Sequence, residues 1–296
     1  MTIKKGIILA AGKATRLHPT SLAFGKQLMA VYDKPMIYYP LATLMAAGIR
    51  DVLIIVTPRD RKLFETLLGD GSQYGIRISY EEQHKQDGIA GAFIIGEKFV
   101  AGDTVCLVLG DNFFHGPEFD SIINLAARSV DGATIFCHHV AEPSAYGVAV
   151  LDKDNRVTQL VEKPKEFISN WVATGLYFYD NKAVEVAKTL KPSARNELEI
   201  TDLNIEYLKQ GKLNAVTLDA SYRWFDLGTH QNIHDAAEFI RDSEARTGAK
   251  IGCLDEAALR AGFIDAAQVR ANADKIGNPT YANYLRKLAD ASVAAA

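Results

Sequence analysis

The chain has 296 residues, with 33 Lys+Arg against 36 Asp+Glu and a net charge of −3. Hydrophobic residues make up 48% and charged residues 23%, so a chain of this length buries a large core without disulfide or metal staples. The basic excess or basic stripe of a nucleic-acid binder is missing, so an anionic ligand is expected to be small and held by a few placed cations. The three cysteines, Cys106, Cys137 and Cys253, make no CxxC or Cys/His spacing and read as reduced, buried thiols of a cytoplasmic protein. No stretch approaches the roughly 18 apolar residues of a membrane helix, and the apolar run 6–11 is too short for a signal-peptide core. The expected location is the cytoplasm, with no membrane partner.

In chain order, residues 6–10 read as a buried strand, 38–47 as a helix ended by Gly48, 51–56 as a strand and 61–68 as a helix. A strand at 76–81, a helix at 89–98 and a strongly apolar strand at 104–109 follow. Apolar runs separated by helices of about 10 residues indicate βαβ units and a mainly parallel sheet. The second half is more mixed, with strands at 133–139, 147–151, 157–162 and 173–179 and helices at 181–190 and 201–210. Beyond His230 the pattern is helical almost to the end, where a short alanine run occupies 294–296. The expected organisation is one α/β domain over 1–240 and a helical C-terminal extension over 241–296.

The segment from Ile7 to Leu17 is a strand followed by a turn of small residues, Ala11, Gly12, Lys13 and Ala14. In an open parallel sheet the first such turn is where backbone N–H groups approach phosphate. The turn is neither GxGxxG, which argues against a dinucleotide-dependent dehydrogenase, nor GxxxxGK[ST], since Gly25-Lys26 is followed by Gln27.

Further motifs accompany it: Thr15-Arg16-Leu17, Lys26-Gln27-Leu28, the run from Val31 to Leu41, Leu109-Gly110-Asp111-Asn112 and Tyr146-Gly147-Val148. Beyond these come Glu162-Lys163-Pro164, Thr174-Gly175-Leu176-Tyr177, Glu197-Leu198-Glu199-Ile200-Thr201-Asp202, Trp224 with Asp226, and Gly228-Thr229-His230. In this order and over nearly the whole chain, they resemble the glucose-1-phosphate thymidylyltransferase family of sugar-phosphate nucleotidyltransferases. The resemblance implies a Rossmann-like α/β fold with a nucleotide-binding half (1–130) and a sugar-binding half (131–240). It also implies Mg²⁺-assisted, in-line attack of glucose-1-phosphate on the α-phosphorus of dTTP. Two anions must meet, so cations dominate the chemistry.

By the same resemblance Arg16 and Lys26 bind the triphosphate, Lys163 holds the sugar phosphate, and Asp111 and Asp226 carry the Mg²⁺. Leu9, Ala11, Gly12, Lys13, Ala14 and Thr15 form the nucleotide loop, and Gln83 and Gly88 read the base. Tyr146, Gly147, Glu162, Thr174 and Tyr177 meet the sugar hydroxyls. A homotetramer with a second, regulatory nucleotide site is implied as well. Several positions depart from the family pattern. Its Gly-Gly-Ser-Gly loop is here Ala11-Gly12-Lys13-Ala14. An arginine and a histidine of the regulatory site are here Ala220 and Asp120, while Glu256 and Arg260 remain. Feedback by a dTDP-sugar is therefore expected to be weak or absent. A UTP-preferring or dual-nucleotide enzyme is the competing reading. An inactive nucleotide-sugar sensor, from another class, has the five intact charged groups against it.

Overall fold

The computed structural model describes residues 1–294, so the last two residues of the alanine run at 294–296 lie outside the described residues. The first half comprises β1 (Lys5–Ala10), a short hairpin of β2 (Ala30–Val31) and β3 (Lys34–Pro35), α1 (Tyr38–Ala46), β4 (Asp51–Val56), α2 (Arg61–Leu68) and β5 (Arg77–Glu82). It continues through α3 (Gly91–Ile95), α4 (Glu97–Val100), β6 (Val105–Leu109), β7 (Asn112–His115) and α5 (Phe119–Arg128). The second half holds β8 (Ala133–His139), β9 (Gly147–Leu151), β10 (Val157–Glu162), β11 (Trp171–Tyr179), α6 (Ala183–Thr189), α7 (Ile200–Lys209), β12 (Leu213–Leu218) and β13 (Arg223–Asp226). Four helices close the chain: α8 (His230–Thr247), α9 (Leu254–Arg260), α10 (Ala266–Ala273) and α11 (Pro279–Ala294).

A mixed nine-stranded sheet runs in the order β10-β9-β11-β6-β1-β4-β5, with β8 and β12 attached beside β11. The stretch β6-β1-β4-β5 is parallel, β11 runs antiparallel to β6, and β12 is parallel to β8. Side chains alternate between the two faces of a strand. Ile8, Ile54 and Val108 therefore enter one core, beneath α1, α2 and α5. Ile7, Ile55 and Leu107 enter the other, beneath α3, α6 and α7. Burial on both faces is why these strands read as unbroken apolar runs.

The helix expected over 89–98 is two short helices that meet at Gly96. A β-carbon there would stand 3.1 Å from both Ile7 Cδ1 and Leu53 Cδ2, so the missing side chain lets the pair lie close on the sheet. Six elements were not expected: α5, β12, the two strands of the short hairpin, β2 and β3, and the two strands of a separate antiparallel ribbon, β7 with β13. The ribbon pairs Asn112 with Asp226 and stacks Phe113 on Phe225 at 5.5 Å. Helix α8 packs on the ribbon and on the β2–β3 hairpin through Val31, Met36, Leu227, Ala236 and Ile240. Helices α9 to α11 share a small core around Cys253, Val269 and Leu285. All three cysteines are free and buried. Among the described residues no helix is long and apolar enough to cross a membrane.

Candidate active site

Strand β6 ends at Leu109, and Gly110 turns the chain so that Asp111 stands beyond the carboxyl edge of the parallel sheet. The turn is tight: Gly110 N donates to Leu9 O at 2.9 Å, and a β-carbon on Gly110 would lie 3.0 Å from that same oxygen. The ribbon brings the second carboxylate. Leu227 N donates to Asp111 O at 2.9 Å, which fixes Asp226 beside Asp111. Burial and the facing Asp111 charge push the Asp226 carboxyl up to about 6. Asp111 is also penalised by burial, yet the adjacent Lys26 ammonium holds it below the usual carboxylate range. Lys26 Nζ contacts Asp111 Oδ2 directly. Arg16 arrives from the turn after β1. A β-carbon on Gly228 would stand 2.5 Å from Arg16 Nη2 and 3.0 Å from Asp226 Oδ1, so the guanidinium lies over Gly228 beside that carboxylate. Arg16, Lys26, Asp111 and Asp226, far apart in sequence, thus converge.

The loop after β1 borders this cluster. Leu9 is half-buried, Ala11 fully buried, and Gly12 and Lys13 exposed. Ala14 sits in the left-handed region at φ 52°, and Ser21 Oγ donates to its carbonyl at 2.7 Å. Thr15 opens the single 3-10 turn that carries Arg16. Gln86 Nε2 donates to Ala11 O at 2.9 Å, tying the loop to the segment after β5. That segment contains Gln83, whose side chain is buried. It also contains Gly88, at φ +85°, where a β-carbon would be 2.4 Å from Leu198 O. Only glycine fits there. Beside Lys26, the buried Gln27 Oε1 has no hydrogen-bond partner.

The second half supplies a neighbouring group. Tyr146 packs edge-on to Trp224 with centroids 5.2 Å apart. Burial, then the Asp226 charge, push its hydroxyl pKa up. Glu162 Oε2 accepts from Thr201 Oγ1 at 2.5 Å, and Glu162 Oε1 accepts from Arg195 Nη2 at 3.2 Å. A β-carbon on Gly147 would meet Thr201 Oγ1 at 2.8 Å, so backbone and carboxylate are closely apposed. Lys163 is half-exposed; its ammonium is 3.7 Å from Glu162 Oε1 and its backbone N donates to Tyr146 O at 3.0 Å. Tyr177 is buried, with burial first and Glu162 second raising its pKa. Thr174 is buried, and its hydroxyl proton is committed to Phe136 O at 2.8 Å.

Two residues not singled out from sequence matter here. Arg195 bridges Glu162 and Glu199, the latter at 2.8 Å, and stands as a cation beside Lys163. Asn112 Oδ1 accepts from Gly175 N at 3.0 Å and from Trp224 Nε1 at 2.6 Å, joining β7, β11 and β13. Arg195 adjoins the motif beginning at Glu197, which was the available signal; Asn112 carried none outside its motif. Away from this cluster, a cavity of about 780 Å³ opens between α1, β7, α5 and α8, with Asp120, Glu256 and Arg260 in its wall.

Two carboxylates and two cations beyond the carboxyl ends of a parallel sheet define a site for joining phosphate-bearing reactants. Residues 5–243 match the model of the nucleotidyl transferase family, and the chain belongs to that family. Its similarity narrows further. It is 49% identical to the glucose-1-phosphate thymidylyltransferase of Neisseria meningitidis, over 96% of this chain and 99% of that protein. It is 50% identical to the enzyme of the same name from Xanthomonas campestris, over 98% of each. A crystallised Bacillus anthracis chain reported under that activity, bound to sucrose, is 37% identical with a TM-score of 0.74, covering 81% of this chain and 96% of that one. A UDP-glucose pyrophosphorylase bound to UDP-glucose shares the fold at 24% identity and TM-score 0.71, covering 81% of this chain and 99% of that one.

Proposed function

We propose that the protein joins glucose-1-phosphate to dTTP, forming dTDP-glucose and releasing pyrophosphate. The observation that carries this reading is the convergence of Arg16 and Lys26 on the Asp111–Asp226 pair. A non-bridging oxygen of the sugar phosphate forms a bond to the α-phosphorus of dTTP. The bond from that phosphorus to the β-phosphate oxygen breaks, and no proton needs to move. Arg16 and Lys26 bind the triphosphate and stabilise the charge that builds on the departing pyrophosphate. Lys163, with Arg195 beside it, holds the sugar phosphate in line. Gln83 and the Gly88 backbone contact the thymine edge. Gln27 Oε1, an unpaired acceptor, suits a hydroxyl of the nucleotide sugar. Glu162, Gly147, Tyr146 and Tyr177 receive the hexose.

Asp111 and Asp226 suit Mg²⁺, which takes one or two carboxylates and fills its remaining places with phosphate oxygens and water. Burial first and the facing Asp111 charge second raise the Asp226 pKa, and the repulsion between the two carboxylates is what a divalent cation relieves. When bound, Mg²⁺ supplies neutralising charge for the phosphates. The same reading gives a nucleotide half over 1–130, a sugar half over 131–240, a C-terminal extension over 241–296, and a cytoplasmic homotetramer. It also gives weak or absent dTDP-sugar feedback, because Asp120 adds negative charge to the wall of the second cavity. The test is a pyrophosphate-release assay crossing dTTP, UTP, CTP and GTP with glucose-, galactose- and N-acetylglucosamine-1-phosphate. The highest kcat/KM is expected for dTTP with glucose-1-phosphate. A UTP preference, or no release with any pair, contradicts the proposal.

A further inference from the structure

Lys34 opens β3, directly after the turn of the β2–β3 hairpin, with its side chain only 2% exposed. Its ammonium contacts Asp33 Oδ1 and lies 3.0 Å from Glu244 Oε1. Lys250 closes the figure, 2.6 Å from Asp33 Oδ2 and 2.9 Å from Glu244 Oε2. Two cations and two anions form a ring in which each carboxylate bridges both ammoniums. Three parts of the chain meet there: the hairpin, the end of α8, and the link into the C-terminal helices.

The ring connects to the active site by short paths. Ile37 N donates to Gln27 O, Met36 N to Met29 O and Met29 N to Lys26 O, each at 2.9 Å, so the hairpin is bonded directly to the turn carrying Lys26. At the other end of α8, Asn232 Nδ2 donates to Asp226 O at 2.6 Å. On the outer side, Lys250 N donates to the Tyr284 hydroxyl of α11 at 3.0 Å, and that hydroxyl donates to Glu256 of α9. A buried ion pair is seldom more stabilising than an apolar replacement of the same volume, because both charges must be stripped of water. What such a pair does well is fix one arrangement against its alternatives.

We propose that Asp33, Lys34, Glu244 and Lys250 are positioning residues for nucleotidyl transfer: their ring sets the place of Lys26 and makes it depend on docking of the C-terminal helices. This rests on the reading of Lys26 as a triphosphate ligand. The ring residues touch no substrate; they act through the hairpin.

The test uses the full-length enzyme with the charge-balanced pair K34M/E244Q, in which the glutamine still accepts from Ile251 N. The expected result is a kcat lowered about 10-fold or more, with KM for both substrates within about twofold of wild type. In a K26A background the same pair should add less than about a twofold loss, because the ring acts through the missing lysine. If K34M/E244Q does not fold, D33N/K250M on the more open side of the ring carries the same test. Wild-type kcat in a folded ring variant overturns the proposal. So does a full additional loss in the K26A background, and so does failure of both pairs to fold, which would make the ring a stability element. Wild-type kcat for K26A alone marks failure of the underlying reading, and the proposal falls with it; a slow K26A with fast ring variants sinks the proposal alone.

Discussion

The guanidinium of Arg16 rests on Gly228 so closely that a β-carbon there would stand 2.5 Å from Nη2. Glycine at 228 is thus a condition for placing Arg16 beside Asp226. The G228A variant should keep its fold, since φ at this position lies outside the left-handed region. Displacing a transition-state cation by about an ångström costs roughly 10- to 100-fold in kcat/KM. Steady-state kinetics and a thermal melt together check it: kcat/KM should fall while Tm stays within a few degrees.

Ala14 occupies the left-handed region at φ 52°, where a β-carbon is crowded. The A14G variant should gain about 1 kcal/mol, read as a rise in Tm of about 2 °C. A fall in Tm would mean that the lost restriction of the unfolded chain outweighs the relieved strain.

Glu162 receives both Thr201 Oγ1 and Arg195 Nη2. Glutamine there keeps the shape but turns an amide N–H₂ toward one of those donors. In E162Q, KM for glucose-1-phosphate should rise about 10-fold, the order of one charge-assisted hydrogen bond. KM for dTTP should remain within about twofold. A change confined to dTTP would place Glu162 on the nucleotide instead.

The second cavity carries Asp120, and Arg260 is already engaged by Glu256 at 2.5 Å. A dTDP-sugar bound there would face an added carboxylate and a pre-occupied arginine. Initial rates measured across a dTDP-rhamnose series should therefore show little inhibition. Strong inhibition, non-competitive with both substrates, would contradict this.

The strands of the parallel core were legible because burial on both faces leaves a continuous apolar run, as in Asp51–Val56. The ribbon was not. Asn112–His115 and Arg223–Asp226 have four residues each, too few to show a period, and each is a strand only because the other, far along the chain, pairs with it. The break at Gly96 depends on Ile7 and Leu53 beneath it, contacts that no local window contains. Residues of the candidate site were legible through motif resemblance, because their spacing in sequence says nothing of their convergence. Arg195 escaped because a surface-like arginine in a loop resembles any solvated charge until Glu162 is seen beside it.

The most direct test of the account is the rate of pyrophosphate release by D226N, with Mg²⁺, dTTP and glucose-1-phosphate all saturating. Removing one half-buried carboxylate charge from the pair should lower kcat roughly 100- to 1,000-fold, with the far-UV spectrum and Tm of a folded protein. A folded D226N turning over at the wild-type rate would contradict it.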